Sequence, residues 1–136
     1  MAKTYAKAKG RSAKEGAFIA IPRLVADSES FRLASGNAIK VLLCLANQFR
    51  GQNNGDLCAP ASYAKKYGLS KATWYKAIRE LVAAELIICT RDPLFDSKNP
   101  HGQCALFALT WKSIDECGGK LDVRPTATPV RRFTSS

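Results

Sequence analysis

Residues 60–81 read Pro60-Ala61-Ser62-Tyr63-Ala64-Lys65-Lys66-Tyr67-Gly68-Leu69-Ser70-Lys71-Ala72-Thr73-Trp74-Tyr75-Lys76-Ala77-Ile78-Arg79-Glu80-Leu81. The spacing predicts two helices folded against each other across a three-residue turn, the helix-turn-helix pattern. Ala64 is small where two helices would approach closely, and Gly68 is free to take the left-handed backbone such a turn demands. Tyr63, Tyr67, Leu69 and Trp74 then face inward together. On the second helix Trp74, Ala77, Ile78, Leu81 and Val82 recur at helical spacing and predict the buried side. That leaves Lys71, Thr73, Tyr75, Lys76 and Arg79 on an opposite, mostly polar or basic face. Ser70 suits the N-cap, with the amide of Thr73 three residues on as its donor.

A buried stripe with a cationic opposite face suits a helix lying in the major groove of double-stranded DNA. Lys65 and Lys66, on the first helix, are expected to touch phosphates, which position a protein without reading sequence. The flanks agree. Leu86 to Arg91 is a β-branched run that reads as a strand, and Cys104 to Trp111 reads as its hairpin partner. Between them, Pro93, Asp96, Ser97, Asn99, Pro100 and Gly102 favour an irregular tip over 92–103. Upstream, Asn53-Asn54-Gly55-Asp56 is a turn and Leu57-Cys58-Ala59 a short third strand. Further back, Ser35 and Gly36 open a long helix whose inner face is Ala38, Val41, Leu42, Leu45, Ala46 and Phe49. Leu24, Val25 and Phe31 are spaced to pack a short helix against it, and Phe18-Ile19-Ala20-Ile21-Pro22 is an edge strand or extended arm.

The order helix, short strand, helix, helix, strand, loop, strand is that of a winged helix, an α+β fold. Residues 33–111 resemble the winged helix-turn-helix domains of bacterial and phage proteins, most specifically over Leu69-Ser70-Lys71-Ala72-Thr73-Trp74-Tyr75-Lys76-Ala77-Ile78-Arg79-Glu80-Leu81-Val82-Ala83-Ala84-Glu85-Leu86-Ile87. The resemblance implies that the second helix of the motif enters the major groove and that the wing touches flanking backbone or minor groove. It implies DNA contacts for Ser70, Lys71, Thr73, Tyr75, Lys76 and Arg79, with Lys98 in the wing. The segment from Phe31 to Leu43 is similar to the opening helix of phage and plasmid replication initiators. Three functions are therefore expected, in this order: a sequence-specific transcription regulator of a bacterium, phage or mobile element; an origin-binding replication initiator; and a winged helix used as a protein-interaction module. The chain departs from the pattern in two places. Its tip sets Asp92 and Asp96 against only Lys98 and His101, and Ala84-Glu85-Leu86 stands where many relatives place a glycine.

The 136 residues carry 21 Lys and Arg against 11 Asp and Glu, a net charge of +10, and phosphate backbones attract such a surface. No apolar run is long enough to span a membrane and residues 1–16 lack the apolar stretch of a signal peptide, so a cytoplasmic location is expected. Lys3, Lys7, Lys9, Arg11 and Lys14 make residues 1–16 a basic arm; residues 17–111 form the domain and residues 112–136 a C-terminal tail. The apolar opening helix also offers a seam for a homodimer. Five cysteines without a CxxC pair, and a single His101, argue against a zinc site or a Cys-His catalytic pair. Cys44, Cys58, Cys89 and Cys104 are expected to be packed, with Cys117 the exposed thiol. No phosphate-binding loop, GxSxG or HExxH occurs, so neither catalysis nor a cofactor is expected, and no small-molecule ligand is indicated.

Overall fold

A computed structural model describes residues 17–96 and 99–134, with side chains outside 94–102. The fold is α+β. Among the described residues five α-helices, α1 (Arg23–Ala26), α2 (Glu29–Leu33), α3 (Gly36–Gln48), α4 (Ser62–Lys66) and α5 (Lys71–Ala83), accompany five strands: β1 (Leu57–Cys58), β2 (Ile87–Arg91), β3 (Leu94–Asp96), β4 (Asn99–Gln103) and β5 (Leu106–Leu109). Serine opens three of the helices: Ser28, Ser35 and Ser70 each accept the amide three residues on, so each first turn gains a partner for an orphan N–H.

The sheet is antiparallel in the order β1-β5-β2, with Leu57 opposite Phe107 and Ile87 opposite Leu109. Its helix side closes on α3 and α5 in one core containing Val41, Leu42, Leu45, Leu57, Trp74, Leu81, Ile87 and Leu109. Trp74 is fully buried, donates its indole N–H to the carbonyl of Ala59 at 3.0 Å and lies 5.5 Å from the ring of Tyr67. Thr90 is an extra residue in β2, where the register slips between Cys89 and Arg91; the bulge lets its hydroxyl donate to the carbonyl of Gly55 at 2.6 Å.

Several expectations need correcting. Residues 92–103 are not an irregular tip, because β3 pairs with β4, Leu94 opposite Gln103 and Asp96 opposite Asn99. Both strands of this ribbon are edges, where Pro100 costs the ladder little. Leu24 and Val82 are 45% and 40% exposed; each neighbours a buried residue, Val25 and Leu81, and a step of one residue turns a side chain out of the seam. Residues 17–22 form no strand. Ile21 packs on the core while Phe18 is 76% exposed.

The domain does not stop at residue 111. Ile114 is buried, its amide donates to the Thr126 hydroxyl, and the Asp122 amide reaches the carbonyl of Thr90 at 2.8 Å. Arg131 lies at the far end of this strap. Its guanidinium donates to the carbonyls of Ala84 and Glu85 and to the Ser30 hydroxyl, at 2.9, 3.2 and 2.9 Å, and its backbone amide bonds Thr110. The expected tail is thus a strap that ties the end of α5 to α2. The basic arm of residues 1–16 lies outside the described residues.

Candidate nucleic-acid interface

The face in question is set by two helix ends. At the end of α4, Gly68 takes φ +76°, the Leu69 amide bonds the carbonyl of Ala64 and the Gly68 amide that of Lys65. This paired closure turns the chain sharply so that Ser70 can open α5. At the other end of α5 the same pattern recurs: Leu86 bonds Leu81 and Glu85 bonds Val82, with Glu85 itself at φ +58°. The segment Ala84-Glu85-Leu86 therefore ends the helix as regularly as glycine would, at the cost of left-handed backbone for a residue with a Cβ.

Between these ends α5 is two-sided. Trp74, Ala77, Ile78 and Leu81 are buried, while Lys71, Tyr75, Lys76 and Arg79 are exposed, Tyr75 by 47%. Thr73 is half-buried, and Ser70 and Thr73 serve each other: the Thr73 amide donates to Ser70 Oγ at 3.1 Å and the Ser70 hydroxyl to Thr73 Oγ1 at 2.9 Å. Ser70 thus spends its side chain on the cap. Lys65 and Lys66 are exposed on α4. Lys98 falls outside the described residues.

Two residues escaped the sequence reading because their partners are distant along the chain. Lys40 on α3 donates to the carbonyl of Tyr67 at 3.3 Å, which sets a further cation beside the α4–α5 turn. Glu80 is an acid on the flank of the cationic face. Its two oxygens accept from the backbone amide and the hydroxyl of Ser35, at 2.6 and 2.7 Å. The carboxylate therefore caps α3, and those donors, more than the nearby Lys76, hold its pKa below the usual glutamate value. Among the described residues the ion pair present is Lys120 with Asp56, away from α5, and Lys65, Lys66, Lys71, Lys76 and Arg79 form none there.

Comparison with family models, curated proteins and solved structures yields no match. The exposed thiol is Cys104, not Cys117, since Cys104 precedes β5 while Cys117 turns its sulfur toward the carbonyl of Asn54. Cys44 is buried, and burial pushes the thiols of Cys44, Cys58, Cys89 and Cys117 up. Among the described residues no group of three His, Cys, Asp or Glu is placed to hold a metal ion, and no helix is long and apolar enough to cross a membrane.

Proposed function

We propose that the chain is a winged helix-turn-helix protein that binds double-stranded DNA in a sequence-specific way, with α5 as the reading helix, and acts as a transcription regulator. One observation carries the reading: Lys71, Tyr75, Lys76 and Arg79 stand exposed on a single helix face whose reverse, Trp74 and Leu81, is locked in the core. A rigidly backed helix with free cationic and hydrogen-bonding side chains has what readout of base edges requires. Lys65, Lys66 and Lys40 flank it and supply phosphate contacts. In this reading the β3–β4 ribbon is the wing.

The test is a titration of labelled duplexes over a range of salt. Affinity should fall steeply as salt rises, because each neutralised phosphate releases condensed counterion. Charge reversal of Lys65 and Lys66 should weaken cognate and scrambled duplexes about equally. Binding that ignores salt overturns the proposal. Footprinting on genomic DNA then separates a promoter-bound regulator from an origin-bound initiator, and absence of any bound duplex leaves the cationic face to an acidic protein.

A further inference from the structure

Between α5 and the strands lies a cleft of about 330 Å³. Ile78, Ala105, Phe107 and Pro60 give it an apolar lining, and Tyr75 and Arg79 stand at its helix side. Its size falls at the lower end of small-ligand sites, which are typically apolar with a few placed polar groups. Arg79 is that polar group: among the described residues its guanidinium has no carboxylate partner and no acid lines the cleft. An apolar lining with one unpaired cation complements a molecule with an apolar body and one anionic end.

We infer that this cleft binds a small amphipathic carboxylate, its aryl or alkyl body against Ile78, Phe107 and Ala105 and its carboxylate on Arg79. The site stands on the cleft alone. Its consequence rests on the DNA-binding reading: Tyr75 and Arg79 belong also to the exposed face of α5, so the carboxylate and the duplex compete, and the ligand acts as an inducer.

Calorimetric titration with 2-naphthoate and decanoate tests the site without DNA. At least one should bind with one-to-one saturation and more tightly than its neutral counterpart, 2-naphthamide or decanol. Arg79→Gln should remove that preference, and Ala105→Phe, which fills the cleft, should abolish binding with an unchanged melting temperature. Cys104 also lines the cleft and is exposed, so its alkylation by N-ethylmaleimide in the unaltered chain should slow when the ligand is present. This readout holds even where Ala105→Phe fails to fold. No saturable binding by either carboxylate, or equal binding of the neutral compounds, overturns the inference. With the ligand at ten times its dissociation constant, the apparent Kd for DNA should rise about tenfold. Ligand binding in a chain that binds no duplex refutes the DNA reading alone; simultaneous binding of ligand and duplex refutes the competition.

Discussion

Replacing Asn54 by aspartate keeps the shape of a fully buried side chain and changes only what it can donate. Asn54 Nδ2 donates to the carbonyls of Leu109 and Ser113, at 3.0 and 2.9 Å, and Oδ1 accepts from the Leu109 amide at 2.8 Å. These bonds fasten the turn before β1 to the end of β5. Aspartate keeps the acceptor but loses the donor, and an ionised carboxylate would point an oxygen at two carbonyl oxygens. A buried group left without its partner costs about 1–3 kcal/mol. Two such groups give a loss of about 2–6 kcal/mol at neutral pH. The folded chain relieves part of this by protonating the new carboxyl, so its native-state pKa rises above the unfolded value of about 3.9. Between those two values the native state holds a proton that the unfolded state has released. Stability relative to the parent therefore falls as pH rises, by up to about 1.4 kcal/mol per pH unit, and levels off above the native-state pKa. Urea titrations of parent and Asn54→Asp at several pH values read this directly, with Asn54→Ala as the control whose deficit does not move with pH. An Asn54→Asp chain within about 0.5 kcal/mol of the parent at neutral pH, or a gap that stays flat, refutes the account of this hub.

On α5, Tyr75→Ala, Lys76→Ala and Arg79→Ala should each keep the parent's urea midpoint and lose about 1–3 kcal/mol of discrimination between cognate and scrambled duplexes where a base edge is read. Trp74→Ala should instead cost about 3–5 kcal/mol of stability through the cavity it leaves, and parent-like DNA binding by all three outward variants removes α5 as the reader. Gly55→Ala should cost about 1–3 kcal/mol in the same assay, because φ is +121° and the new Cβ would stand 2.7 Å from Leu121 Cδ1; a neutral result contradicts that backbone strain. Glu85→Gly should stabilise by about 0.5–1 kcal/mol by relieving the left-handed glutamate, and a lower midpoint would show that the side chain earns its place. Glu80→Gln should cost about 0.5–1 kcal/mol near neutrality. Because the native Glu80 pKa is depressed, that contribution exists above the unfolded value of about 4.3 and disappears as pH falls through the lower native one, so parent and variant should converge in acid.

What could be read from the sequence was local. Ser70, Gly68 and Trp74 announce a cap, a left-handed turn and a core anchor within a few residues of the partners that make them so, and the structure has all three. The sorting of α5 into buried and exposed faces follows from the same short period, and departs from it at exposed Val82 and half-buried Thr73 on its margins. Long-range polar contacts left no such trace. Glu80 finds Ser35 across 45 residues, Asn54 finds Leu109 across 55, and neither pair forms a pattern in one dimension. The ribbon was hidden for another reason: proline and glycine in residues 92–103 signal a break, and only the edge position of β3 and β4 makes them compatible with pairing. Residues 112–134 offer few apolar side chains, and composition cannot show that Ile114 and Phe133 among them pack on the domain or that Arg131 and the backbone amides tie the strap down.

That strap should be among the last parts of the domain to form. The bond from Arg131 to Ser30 closes a span of 101 residues, the kind of contact whose loop-closure entropy must be met before it contributes anything. The contacts among α3, α5, β2 and β5 span fewer residues, so these elements can collapse on their apolar faces before the strap docks. Until it does, the carbonyl of Ala84 lacks the guanidinium, and that of Glu85 keeps the Thr110 hydroxyl as its side-chain partner. Folding should thus finish where α5 meets β2, when the guanidinium of Arg131 docks on the end of the helix.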